Sequence, residues 1–377
     1  MPMPDPNVPE SIVFDKFSGI KNTVGQESLN VGELMTAVNV DIDDVGHIRR
    51  RRGSTKVATG NFHSLFNADD GTLIGVKNNN LGIINPDYSF QTLKAGIGNV
   101  DPAAGLTPLS YVQLGDMIYY SSPADSGKIF LPTSSVLPWG AEVDNFWLSP
   151  VVNPTQNLAA IRGKLLGPPP MASAITYWNG RIYMMSGNLV WATELYLYDY
   201  VDKTRGFYSF EDECTMIGAV ADGVYVGTTG GMWFLSGTHA EGLKRARVMD
   251  SPVVPGSMVY IPAELANPPQ VGTAADTPMQ VSISFMTSNG FCVAQDGGQC
   301  TNLTEAKVVF PTAQHAAALY RRQDGVNSYI AVTDSGGTPT TNTRIGDYVD
   351  AELIRGGRWT PVCDRIVIGD SLTATII

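Results

Sequence analysis

The sequence predicts an all-β fold, a β-propeller-like domain of about six blades that follows an N-terminal arm and a β-hairpin. Three observations point there. The 377 residues include 39 Gly and 24 Pro, so turn-formers punctuate the chain too often for long helices. Only 16% of residues are charged and 43% are hydrophobic, a composition too apolar for disorder. Short apolar runs then meet Asn-Gly or Asp-Gly pairs repeatedly, and such pairs suit tight hairpins that need positive φ.

The elements follow in order. Residues 1–10 hold Pro2, Pro4, Pro6 and Pro9 without hydrophobic periodicity, and read as an extended arm. That arm is either a disordered terminus or a partner-gripping one. Residues 37–44 alternate as a strand, Val45-Gly46 turns the chain, and residues 47–53 return. The resulting hairpin sets Asp41, Asp43 and Asp44 near Arg49, Arg50, Arg51 and Arg52, a favourable cross-strand pairing. Residues 1–60 thus form the arm and hairpin, and residues 61–377 the propeller.

Within the propeller, strand pairs are predicted at 62–67 and 73–77, 109–114 and 117–121, and 174–178 and 181–185. Further pairs follow at 216–221 and 224–228, 281–288 and 291–294, and 317–323 and 327–333. Their turns begin at Asp70, Gly115, Asn179, Asp222, Asn289 and Asp324, with spacings of 45, 64, 43, 67 and 35 residues. Propeller blades take roughly 40–50 residues each. The two wide gaps carry Pro-rich stretches around 160–172 and 262–278, which read as loop insertions. A pair of β-sandwiches with ordinary hairpins is the competing architecture.

Charge and cysteine usage narrow the partners. The net charge of −11 disfavours nucleic-acid binding, because DNA affinity comes mainly from neutralising phosphates. The same charge would let DNA slide past in a conduit. Cys214, Cys292, Cys300 and Cys363 form no metal-binding or disulfide pattern and are expected reduced. No apolar run nears the roughly 20 residues of a membrane helix, and the N-terminus does not read as a secretory signal.

Catalytic and metal patterns are weak. Gly369-Asp370-Ser371-Leu372 spells an esterase motif, but only five residues follow it and none is His. His47, His63, His239 and His315 are scattered singletons. Asp41-x-Asp43-Asp44-x-Gly46 starts like a calcium loop, yet Arg52 stands where a bidentate Glu is needed. Residues 67–72 give one degenerate copy of the aspartate box of sialidase propellers. The chain is therefore expected to be no enzyme and to need no cofactor.

One resemblance is more informative. It rests on Phe17-Ser18-Gly19-Ile20-Lys21-Asn22 and on Asn39-Val40-Asp41-Ile42-Asp43-Asp44-x-Gly46-x-Ile48-x-Arg50-Arg51-x-Gly53. These stretches resemble the N-terminal signature of the nozzle or tubular tail proteins of short-tailed bacteriophages, with their related DNA-stabilising tail-hub proteins. Tyr225–Phe234 is similar to strands of their propellers. The chain is shorter than many members of that group.

The resemblance implies a structural virion protein of the tail, made in the host cytoplasm and arranged as a homohexameric ring. That ring would retain the packaged genome and pass it during ejection, touching DNA without specific binding. Its partners would be further copies, the portal or adaptor, other tail proteins and tail fibres, with no membrane insertion. Asn39, Asp41, Asp43, Asp44, Gly46, Arg49, Arg50, Arg51 and Arg52 would form the assembly interface through charge-assisted pairs. A receptor- or glycan-binding propeller at the tail tip is the alternative, marked by exposed Trp139, Trp147 and Trp359. A propeller glycoside hydrolase is a further alternative.

Overall fold

The computed structural model describes residues 16–37, 40–42, 45–50, 57–60, 62–98, 108–140, 164–238, 242–261, 281–304, 307–308, 313–323, 326–334, 347–354 and 358–363. Their regular structure is β-strand with short 3-10 turns. No helix among them is long and apolar enough to cross a membrane.

Six antiparallel meanders of four strands follow one another along the chain. Blade one is Phe62–Asn67, Leu73–Lys77, Asn80–Ile84 and Phe90–Ala95, and blade two is Ser110–Leu114, Met117–Ser121, Ser126–Phe130 and Ser135–Leu137. Blade three is Ala174–Trp178, Arg181–Ser186, Leu189–Glu194 and Leu197–Asp202. Two short strands extend it: Leu166–Gly167 pairs with the fourth strand and Phe207–Ser209 with the third. The first of these falls in the predicted 160–172 insertion, so part of that stretch is sheet.

Blade four is Cys214–Val220, Gly223–Thr228, Met232–Ser236 and Lys244–Met249. Blade five is Val259–Ile261, Ser282–Thr287, Gly290–Gln295 and Gln299–Asn302. Blade six is His315–Gln323, Val326–Asp334, Asp347–Ile354 and Arg358–Cys363. The predicted 262–278 insertion falls between the first two strands of blade five, outside the described residues.

Local turn chemistry explains several reversals. Asn78-Asn79 has φ of 47° and 66°, and Asn179-Gly180 has 47° and 76°, the left-handed pairs a two-residue hairpin requires. Two predicted turns shift. The chain reverses at Ala221-Asp222 and Ser288-Asn289, with Gly223 and Gly290 already opening the next strands. The second of these joins the second and third strands of its blade, not the first and second.

Packing separates a propeller from a pair of sandwiches. In a sandwich each sheet buries one face, whereas here both faces of a blade are buried against successive neighbours. Val224 and Val226 pack toward blade three, while Tyr225 between them packs toward blade five. Ile182 and Met184 face blade two, and Tyr183 and Met185 face blade four. Each core cluster lies between two consecutive blades, from one and two to five and six. Burial on both faces makes the second strands near-continuous apolar runs, whereas the outer strand Lys244–Met249 is largely exposed.

The inner strands converge on an axis. Tyr260 of blade five takes a hydrogen bond from the Ala219 N–H of blade four (3.0 Å) and shares one with Thr176 Oγ1 of blade three (2.9 Å). A contact that skips a blade requires the intervening strand to lie on the inside of a curve. The Tyr260 hydroxyl is buried there, which raises its pKa, although the ring keeps an exposed edge. At the blade four to five seam, Asp296 Oδ1 accepts from Ala221 N–H and Asp222 Oδ2 from Gly297 N–H, both at 2.9 Å.

Candidate assembly surface

The two halves of the N-terminal signature close on each other. The Phe17 N–H donates to the Gly46 carbonyl and the Ser18 N–H to the Gly32 carbonyl, both at 2.8 Å. Gly19–Ile20 then pairs in parallel with Glu33–Leu34. Gly46 has φ +94°, and a β-carbon there would stand 3.1 Å from the Phe17 carbonyl oxygen. At Gly32, φ is +92° and the corresponding approach to the Lys16 carbonyl oxygen is 2.4 Å. Both positions therefore need a residue without a side chain. Glu33 accepts from the Asn30 N–H (2.9 Å) and pairs with Lys21 (3.3 Å), which together hold its carboxyl below the usual range.

This segment is fastened to the last blades. Ile20 and Ala37 are buried in the core shared by blades five and six, with Leu34 and Val40 packed against it. The Asn22 N–H donates to the Lys307 carbonyl (2.9 Å). Gly19–Ile20 and Val40–Ile42 both lie beside Arg358–Cys363, the outer strand of blade six.

The predicted hairpin is present but shorter, Val40–Ile42 against Ile48–Arg50. Its register sets Asp41 opposite Arg49, Val40 opposite Arg50 and Ile42 opposite Ile48. Ile42 is buried, while Val45, Ile48, Arg49 and Arg50 are exposed. Asn39, Asp43, Asp44, Arg51 and Arg52 lie outside the described residues, and Asp41 is placed by its backbone.

Other sequence-derived candidates resolve differently. Trp139 is not an exposed loop aromatic: it is buried and its indole N–H donates to the Tyr198 carbonyl (2.8 Å). A flat glycan platform needs an open ring face, so Trp139 cannot serve as one. Asp70 of the aspartate-box resemblance accepts from the Thr72 N–H (2.9 Å), an ordinary Asx turn. His63 bonds its neighbour Ser64 Oγ (2.9 Å). Cys214 and Cys300 are free thiols, and burial pushes both up to about 12.

One feature was missed by pattern reading. Leu195-Tyr196, the turn between the outer strands of blade three, carries no Gly, Asn or Asp and gave no turn signal. It nevertheless reverses the chain in two residues, with Tyr196 at φ +57°.

No family model and no curated protein sequence matches the chain. Among solved structures, BBS1N in complex with ARL6 is similar over 85% of this chain and 88% of its own, at 11% identity and TM-score 0.45. The AfRom2 CNH domain matches over 81% and 97%, at 10% identity and TM-score 0.41. The Neurospora crassa Pan2 WD40 domain matches over 78% and 86%, at 10% identity and TM-score 0.39. At such scores these likenesses carry no functional weight, and the propeller-like arrangement rests on the sheets and cores described above.

Proposed function

We propose that the chain is a structural virion protein of a short-tailed bacteriophage tail. In this reading it is one subunit of a nozzle or hub ring, a homohexamer, that retains the packaged genome and passes it during ejection. The observation that carries the reading is the N-terminal signature acting as one unit. Its first half, from Phe17, straps onto its second half at Gly46, and the unit presents Arg49 and Arg50 outward.

Two physical features support it. Apolar cores between consecutive blades make a stiff spacer, which suits a wall that must hold shape while DNA moves. Net charge of −11 gives duplex DNA no reason to stick, since no counterions are released on contact. The neighbours of such a ring would be the portal or adaptor, other tail proteins and fibres.

The test is where the protein resides. Mass spectrometry and antibody labelling of purified phage particles from its host should find it in the tail, and light scattering with negative-stain images should show rings. A protein absent from every particle, or a sugar-binding monomer, would overturn the reading.

A further inference from the structure

We infer that the lower turn of blade three is the acceptor for the arginine hairpin of a second copy of this chain. The inference rests on the ring-subunit reading above and supplies the surface that reading lacks. In a four-strand meander, the turns between strands one and two and between strands three and four emerge on one face, here the lower. On blade three these are Asn179-Gly180 and Leu195-Tyr196, locked together by a hydrogen bond from the Tyr196 N–H to the Gly180 carbonyl (2.8 Å). A β-carbon on Gly180 would meet Leu195 Cδ1 at 2.7 Å, so the turns lie directly on each other.

The second turn breaks a local rule. An aromatic residue in left-handed backbone is strained, because its β-carbon crowds the following carbonyl oxygen. The Tyr196 ring rests one edge on Gly180 yet stays 68% exposed. Leu195, Leu197 and Tyr177 are exposed beside it, giving an apolar and aromatic patch. Tyr88 in the matching turn of blade one is also exposed at φ +63°, but without such neighbours. Strain kept at an exposed ring points to a contact made outside the subunit.

Charge and position identify that contact. On the same face, the exposed turn of blade two carries Asp116 beside the patch, while Asp222 on the blade four side is already engaged by the Gly297 N–H. The hairpin offers the complement: exposed Val45 and Ile48 beside Arg49 and Arg50. Arginine over tyrosine and toward aspartate is a favoured interface pairing. The hairpin sits on blade six, three blades from the patch. The two complementary surfaces therefore stand apart on one molecule and meet only between copies, in a head-to-tail contact.

A charge swap tests this. Arg50 stands opposite Val40, not Asp41, in the hairpin register, and Asp116 lies at an exposed turn. By light scattering of the full chain, Arg50→Glu and Asp116→Lys should each weaken self-association about tenfold or more, and together should restore it. Tyr196→Asn, which suits left-handed backbone, should keep the fold and lose association. Single variants that assemble like wild type, a double variant that stays dissociated, or a monomeric wild type would overturn the inference. Protein found in tails whose assembly ignores these changes sinks only this contact. Copies that pair through these surfaces but occur in no particle sink only the virion reading.

Discussion

Blades three and four are neighbours with the same strand order, yet the second lower turn of blade three and the first lower turn of blade four are held in opposite ways. Blade four also bulges, between Cys214 and Met216 and between Met232 and Trp233, but Cys214, Met216 and Met232 are all buried in its cores. Its second strand, Gly223–Thr228, is buried along its length, and its first turn is tied to blade five by Asp222 and Asp296. Blade three bulges between Thr193 and Glu194 and then turns through a leucine and a strained, exposed tyrosine. A broken rule that is buried between blades thus stays part of how the chain holds itself together. A broken rule without compensation inside the subunit marks where it meets something else.

The largest effect expected from this contrast lies in blade four. Tyr225 is fully buried and its hydroxyl donates to the Gln295 and Gln299 carbonyls of blade five. Tyr225→Ala should cost about 3–5 kcal/mol, read by denaturant unfolding. A loss below about 1 kcal/mol would mean that the blade four to five seam is not the rigid region described here.

A smaller and more local loss is expected at the N-terminal strap. Gly46→Ala places a β-carbon on left-handed backbone against Phe17, at roughly 1–2 kcal/mol. Hydrogen exchange should speed at Phe17 and Ser18 while the blade four amides keep their protection. Uniform loosening would show that the strap and the blades unfold together.

Alkaline pH probes the cores against the exposed turn. The Cys214 and Cys300 thiols ionise near 9 when unfolded and are pushed up to about 12 in the fold. A raised folded pKa gives stability that is whole below about pH 9 and is lost as pH climbs toward 12. Unfolding midpoints measured from about pH 8 to about 11 should fall, and less steeply in Cys214→Ala. Equal slopes would place the alkaline sensitivity in other groups.

The smallest effect has the opposite sign. Tyr196→Asn should raise subunit stability by up to about 1 kcal/mol, because Asn tolerates the left-handed turn that strains tyrosine. A clear destabilisation would show that the tyrosine works inside the subunit, and would erase the contrast between the two blades.

Much of the blade pattern was legible because the information is local. Strands 62–67, 73–77, 117–121, 174–178 and 232–236 fall where alternation and turn residues put them. The outer strands were harder. Lys244–Met249 reads as a charged run because only one edge of it meets the blade, so no apolar alternation betrays it. Asn289-Gly290 misled in another way: the motif says that the chain turns, not which strands the turn joins. Reading it as a first turn instead of a middle one distorted the last two spacings. At the candidate interface, the nearness of acids and arginines followed from the hairpin pattern but the register did not. A two-residue Val45-Gly46 turn would set Asp41 opposite Arg50, and the structure sets it opposite Arg49, while Leu195-Tyr196 had no residue that announces a turn.

The sequence by itself determined that the chain is all β, where most turns fall, and that a hairpin with arginines on its return strand precedes the blades. Those are consequences of two-residue periodicity and of residues that tolerate positive φ. Only the tertiary structure decided that blades two to five are buried on both faces, that Phe17 closes on Gly46, and that the hairpin and the blade three turn stand three blades apart. Such facts depend on contacts between residues distant in the chain, and no local pattern encodes which strands will meet.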